Sequence, residues 1–135
     1  MKTVLVFGVF DHLHEGHLAM LREARTHGDR LVVCLAHSDV VLDLKGKAPA
    51  QTFDERAEAL RQTGLVDDIH PGDNERGTYS ALERVKPSMI VLGYDQVELG
   101  RDLERFVNHH KLPITLTTAR PYKPDTYKTS LLNPS

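Results

Sequence analysis

The sequence predicts an α/β fold: a doubly wound, five-stranded parallel sheet with helices on both faces, formed as one domain over residues 1–135. Three observations lead there. The candidate strands are short, continuous apolar runs rather than alternating ones, the pattern of strands buried on both faces. Each run is followed by a stretch with helical spacing and its own start or stop signal. The length also suits one domain, since single domains cluster at roughly 100–200 residues.

Residues 3–10, TVLVFGVF, are almost wholly β-branched or aromatic and form the first strand. Gly16 to Thr26 then places Leu18, Leu21 and Ala24 or Arg25 at helical spacing, with Gly28 as the stop. Arg30 to Ala36 is the second strand, which completes a βαβ unit whose crossover is expected to be right-handed. Ser38 to Gln51 reads as a short helix or turn running into a basic loop that holds Lys45, Gly46, Lys47 and Pro49. Thr52-Phe53-Asp54-Glu55 is a capping box opening a helix through Gln62, and Gly64 ends that helix. Leu65 to Ile69 is the third strand. Thr78 to Val85 is a helix closed by Pro87, and Ser88 to Leu92 is the fourth strand. Val97 to His110 is helical, with Leu99, Leu103, Phe106 and Val107 on one face, and Pro113 to Thr118 is the fifth strand. Such alternation defines a Rossmann-like sandwich, and no internal repeat, low-complexity stretch or interdomain linker interrupts it.

Composition narrows the class. Apolar residues make up 40% and charged residues 27%, the balance of a folded protein rather than a disordered or collagen-like one. A formal charge of −2 gives no basic excess for nucleic acid. The longest apolar runs, Val4 to Phe10 and Leu31 to Ala36, fall far short of the roughly 20 residues a membrane span needs. Met1-Lys2 leads straight into the first run without a signal-peptide layout, so a cytoplasmic location is expected. The lone Cys34 has no partner for an intramolecular disulfide and lies within an apolar run, where it reads as a small core hydrophobe.

In a sheet of this kind ligands sit beyond the carboxyl ends of the strands, where strand order reverses. The first strand ends in GVFDHLHEGH, residues 8–17. Gly8 permits a backbone or phosphate to approach closely, and Gly16 opens a helix whose free N–H groups favour an anion. His14 and His17, three residues apart, are placed to donate to the same phosphate and to hold charge developing on it. As a zinc site the pair lacks further ligands. Asp11 reads as a brace of its own turn, as an orienter of the histidines, or as a ligand of a magnesium ion. Neither G-x-x-x-x-G-K-[ST] nor G-x-G-x-x-G is present, against a Walker ATPase and a dinucleotide fingerprint.

The phrase G-x-F-D-x-x-H-x-G-H, complete here in Gly8, Phe10, Asp11, His14, Gly16 and His17, resembles the opening motif of the cytidylyltransferase-like nucleotidyltransferases. Later segments are similar to that family's pattern across nearly the whole chain. Leu44-Lys45-Gly46-Lys47 resembles its lysine loop, Phe53-Asp54-Glu55-Arg56 its E-Q-R segment, and Val66-Asp67 its V-D. Val91-Leu92-Gly93-Tyr94-Asp95-Gln96 resembles the L-G-Y-D-Q phrase of archaeal-type FAD synthases, and Lys128-Thr129-Ser130 the [RK]-[ST]-[ST] run. Two departures stand out. The terminal run is one hydroxyl residue short, and Gly64 stands where cytidylyltransferases often carry arginine, which weakens a glycerol-phosphate reading.

The resemblance implies transfer of a nucleoside monophosphate from a triphosphate to a phosphorylated small-molecule acceptor, with pyrophosphate released. His14, His17 and Lys45 would be catalytic. Gly8, Val9, Phe10, Asp11, Gly16, Arg56, Gly93, Asp95, Lys128, Thr129 and Ser130 would bind the nucleotide, and Lys47, Asp67, Tyr94 and Gln96 the acceptor. Mg²⁺ would accompany the triphosphate with Asp11 as candidate ligand, and a homodimer is the expected assembly. FMN with ATP is the favoured pair; glycerol 3-phosphate or another small phosphoalcohol or sugar phosphate with CTP is the alternative. A non-catalytic nucleotide-binding module is the rival of another class.

Each residue also has a plainer reading. Lys45 and Lys47 read as solvated loop charges, Arg56 as an exposed helix residue, and Thr129-Ser130 as a helix cap. Tyr94 and Gln96 read as packing.

Overall fold

The computed structural model describes residues 1–73 and 78–120, with the backbone alone described at residues 43–45. The elements run β1 (Thr3–Gly8), α1 (Glu15–Arg25), β2 (Arg30–Leu35), α2 (Ser38–Lys45), α3 (Phe53–Gln62), β3 (Asp68–Pro71), α4 (Ala81–Val85), β4 (Met89–Leu92), α5 (Val97–His109) and β5 (Thr115–Thr118). They form one five-stranded sheet of order β3-β2-β1-β4-β5. Every pair is parallel, with Val4 opposite both Leu31 and Met89. No described helix is long and apolar enough to cross a membrane.

Strand side chains alternate between faces, so continuous apolar strands build two cores. Val4, Val6, Leu31, Val33, Leu35 and Val91 meet Leu21 and Ala24 of α1 and Ala57 and Leu60 of α3 on one face. Leu5, Phe7, Val32, Cys34, Ile90 and Leu92 meet Ala81 and Leu82 of α4 and Leu103 of α5 on the other. Each fully buried branched aliphatic contributes roughly 1.5–3 kcal/mol relative to exposure. Cys34 belongs to this packing; burial pushes its thiol up to about 12, which leaves it protonated and inert at neutral pH.

Helix ends follow local chemistry. Thr52 Oγ1 accepts from Glu55 N at 3.1 Å while Glu55 Oε1 accepts from Thr52 N at 2.9 Å, the capping box expected at α3. Gly64, at φ +71°, terminates α3 in the left-handed conformation. Gly28 has another purpose: a Cβ there would stand 2.7 Å from the Lys2 carbonyl oxygen, so it is a close-approach residue, and α1 is capped by Thr26.

Several boundaries differ from expectation. β1 stops at Gly8 because Phe10, at φ +51°, turns the chain back and drops its ring into the first core. The third strand lies at Asp68–Pro71 rather than Leu65–Ile69. Leu65 and Val66 instead plug the edge of the first core, and Pro71 is tolerated because β3 is an edge strand. Helix α4 starts three residues late because Tyr79 adopts φ +46°.

Candidate active site

The sheet order places the switch point between β1 and β4: from β1 the chain moves outward through β2 to β3, and then through β4 to β5 on the other side. The crevice at their carboxyl ends is bordered by the loop and N-terminus of α1 and by residues 93–96, which is where such sheets bind ligands.

At the α1 border, His14 is the N-cap residue in extended conformation (φ −135°), and its Nδ1 accepts from Gly16 N at 3.0 Å. His17 Nδ1 accepts from His14 N at 3.2 Å. The two imidazoles form a reciprocal cap in place of the usual hydroxyl and carboxylate. A backbone N–H can only donate, so each Nδ1 carries its lone pair and the neutral ring's proton is on Nε2. The rings stack at 3.8 Å between centroids and 27° between planes, and His17 also leans on Phe10 at 5.4 Å. His17 is 5% exposed, so of the two rings His14 is the more open to the crevice. Burial pushes His14 below the ordinary imidazole value, against the pull of Asp95 across the crevice. The arrangement places the His14 imidazole at the positive end of a helix, which suits a phosphate, while Nε2 of His17 is buried.

The glycines serve that pair differently than expected. A Cβ on Gly16 would come 2.9 Å from His14 Cε1, so this glycine makes room for the capping ring. A Cβ on Gly8 would come 2.6 Å from Phe10 Cε2; what approaches Gly8 is the Phe10 ring rather than a phosphate. Phe10 and Val9, expected at the nucleotide, are 0% and 8% exposed, and the Phe10 side chain is core.

Arg56 is completely buried, against both the exposed reading and direct nucleotide contact. Its Nη1 donates to the carbonyls of Val9 and Ala36, both at 2.9 Å, its Nε to Gln51 O at 3.3 Å and its Nη2 to Ser38 Oγ at 3.2 Å. The guanidinium therefore ties the ends of β1 and β2 to the segment before α3.

Asp11 is similarly redirected. Its two oxygens accept from Ala50 N at 2.8 Å and Gln51 N at 2.9 Å. Burial pushes the carboxyl up, and the two amides with nearby positive charge outweigh it, holding the group below the ordinary carboxylate range. No group of three or more potential ligands that could hold a metal occurs among the described residues. Asp11 is thus a brace between loops.

On the β4 border, Gln96 uses both amide atoms on the backbone: Oε1 accepts from Gly93 N at 2.7 Å and Nε2 donates to Phe7 O at 2.9 Å. It pins the loop across the crevice rather than presenting its amide to an acceptor. Tyr94 is half-buried beside it and Asp95 is exposed. A cavity of about 280 Å³ adjoins this loop, lined by Gly93, Tyr94, Gln96, Arg101, Thr117 and Thr118 among others. Thr117, Thr118 and Arg101 are cavity-lining residues that the motifs do not point to; the two threonines end β5, and the rule that ligands lie beyond strand ends is the signal for them.

Asp67 does not join the site. It accepts from Leu31 N at 2.8 Å and pairs with Arg25 at 2.9 Å, at the amino ends of β2 and β3. The Leu31 hydrogen bond is the chief reason that its carboxyl lies below the ordinary range. Lys45 ends α2 and Lys47 follows in an exposed loop, with Gly46 between them at φ +77°. Lys128, Thr129 and Ser130 lie outside the described residues.

Fold and site together define an α/β domain of the nucleotide-handling class, with a first turn whose geometry suits a phosphate. Residues 5–132 match the family described as Cytidylyltransferase-like. The chain is 37% identical over 128 residues to the FAD synthases of Pyrococcus horikoshii and Pyrococcus abyssi, spanning 94% of this chain and 86% of each relative. Among solved structures, a lipopolysaccharide core biosynthesis protein from Thermoplasma volcanium superposes with a TM-score of 0.83 at 30% identity, covering 91% of this chain and 99% of that one. The chain belongs to the cytidylyltransferase-like family, and it is a nucleotidyltransferase.

Proposed function

We propose that this chain, acting as a single domain, joins ATP to FMN to make FAD and pyrophosphate. The observation that carries the reading is the reciprocal histidine cap at the β1/β4 switch point, which fixes two Nε2–H donors at the start of α1. The choice of FMN and ATP rests on similarity to the FAD synthases over 94% of the chain and on the phrase Leu92-Gly93-Tyr94-Asp95-Gln96.

In the reaction, an FMN phosphate oxygen attacks the α-phosphorus of ATP in line. The bond from that phosphorus to the β-bridging oxygen breaks, and pyrophosphate leaves with the electron pair. The acceptor phosphate is already ionised at neutral pH, so the protein's task is positioning and charge stabilisation. His14 and His17 donate to the α-phosphate, more strongly as its equatorial oxygens gain charge. Lys45 bridges donor and acceptor phosphates, with Lys47 on the acceptor side, and Lys128 to Ser130 hold the departing pyrophosphate. The cavity beside Tyr94 and Thr118 receives the nucleoside or the flavin. Magnesium enters as part of the substrate, on the triphosphate oxygens, the usual mode for a cation that keeps most of its waters.

The test is pyrophosphate release over a grid of ATP, CTP, GTP and UTP against FMN, glycerol 3-phosphate, sugar 1-phosphates and phosphopantetheine. ATP with FMN is expected to turn over, with FAD identified by chromatography. Turnover with CTP and glycerol 3-phosphate alone would replace the acceptor assignment, and failure of every pair would remove the reading. His17→Ala is expected to slow turnover at least about a hundredfold.

A further inference from the structure

We propose that Asp11 is a positioning residue that acts through the lysine-bearing connector between α2 and α3: by clamping Ala50 and Gln51 it fixes the connector's downstream end, and with it the approach of Lys45 and Lys47 to the phosphates. The inference rests on the transferase reading above.

The backbone on either side of Asp11 is turned in an unusual way. Phe10 and His12, neither of them glycine, adopt φ +51° and +50°. Left-handed conformations at ordinary residues are unfavourable and persist where the surroundings over-determine them. Between these two bends Asp11 faces residues 50 and 51, where both carboxylate oxygens are taken by backbone amides. His12 N adds a bond to Gln51 Oε1 at 2.9 Å, and Arg56 Nε holds Gln51 O. Four hydrogen bonds thus converge on two consecutive residues.

Upstream of that clamp the connector is short. Only Ala48 and Pro49 separate Lys47 from Ala50, and proline fixes one of the intervening torsions. At the other end, Gly46 closes α2 in the left-handed conformation. With Gly46 closing α2 and Ala50 held by Asp11, the connector has little reach of its own, at about 3.5 Å of chain per residue. The Asp11 clamp therefore sets the downstream end of the segment that carries the lysines. Asp11 belongs to the same ten-residue phrase as the histidines, so one short stretch of chain holds both walls of the phosphate site.

The variant is Asp11→Asn, which keeps the size but sets an N–H₂ donor against one of the two amides. Three measurements are made on the full chain. Transfer kcat/KM is expected to fall about tenfold, the factor that one lost charge-assisted hydrogen bond carries. The Mg²⁺ concentration for half-maximal rate is expected to stay within about twofold of wild type, since the loss is not one of metal affinity. Tryptic cleavage after Lys45 and Lys47 is expected to accelerate about tenfold, while cleavage elsewhere in the chain keeps its wild-type rate.

Recovery of activity at high Mg²⁺ would make Asp11 a metal ligand and overturn the proposal. So would wild-type kcat/KM, or unchanged cleavage at the two lysines. Equal acceleration at every tryptic site would reduce Asp11 to general stability. Absence of turnover in the wild type would instead remove the transferase reading, a failure distinct from that of the clamp.

Discussion

Arg56→Met is the perturbation that best tests how the site is held. Methionine has nearly the length of arginine and no charge, so the volume is kept and the hydrogen bonds are lost. The wild-type side chain, 0% exposed, makes two bonds of 2.9 Å to the Val9 and Ala36 carbonyls and longer ones to Gln51 O and Ser38 Oγ. Buried acceptors left without a donor cost about 1–3 kcal/mol each, and the Val9 carbonyl, whose bond is the buried one of the four, is the least able to find water. Removing a guanidinium from a buried site also relieves its desolvation, which offsets part of the loss. The net expectation is about 3 kcal/mol of destabilisation, or roughly 10–15 °C in Tm for a domain of this size. Arg56→Lys is expected to lose nearly as much, because an ammonium cannot reach carbonyls on three separate segments with a planar fork. Urea denaturation of the two variants gives the free energies, and transfer kinetics well below Tm give the second readout. There kcat/KM is expected to fall at least about tenfold, since the strand ends that carry the histidine turn have shifted. Both variants within about 0.5 kcal/mol of wild type, the range of ordinary surface changes, would refute the account of Arg56 as a loop tie.

The other expectations are narrower. Gly8→Ala puts a methyl 2.6 Å from a ring atom of a fully buried Phe10 and is expected to destabilise by about 1–3 kcal/mol in urea; a neutral effect would return Gly8 to the ligand. Asp67→Asn is expected to lower stability by at most about 1 kcal/mol and to leave acceptor KM within about twofold; a large rise in KM would place Asp67 in the acceptor site. By NMR, neutral His14 is expected to show the Nε2–H tautomer and to titrate below about 6.5, the ordinary imidazole value. Because its folded value is depressed, the stability that it contributes is complete above about pH 6.5 and disappears as pH falls through the folded value, so the gap between wild type and His14→Gln should close in acid. An Nδ1–H tautomer or a midpoint above 6.5 would contradict the reciprocal cap.

The sheet was legible because its strands obey one rule. Apolar continuity from Val4 through Phe7, from Leu31 through Leu35 and from Met89 through Leu92 is what burial on both faces requires, and those three strands form its centre. The edge was harder. β3 reads Asp-Ile-His-Pro and has little apolar signal, whereas the neighbouring Leu65-Val66 has the signal but packs outside the ladder. Helix α4 was misjudged at Thr78 for a similar reason: composition does not reveal that Tyr79 takes a left-handed turn.

The candidate site was legible as a place but not as a division of labour. Every residue of the phrase from Gly8 to His17 lies at the first turn, yet most of its motif letters touch other protein atoms. Gly8 accommodates Phe10, Phe10 supports His17, Gly16 accommodates His14, and Asp11 holds Ala50 and Gln51. The same holds at a distance for Arg56 and Gln96, both of which donate to carbonyls at or just beyond the end of β1. A motif marks positions where few residue types work, and a ring that needs a bare Cα beneath it restricts choice as strongly as a phosphate does. Two imidazoles must keep their Nδ1 atoms on backbone amides to present Nε2–H at a helix start, and that demand explains why so much of the phrase is scaffold. On the proposed reading, the residues that meet a substrate are therefore fewer than the phrase contains.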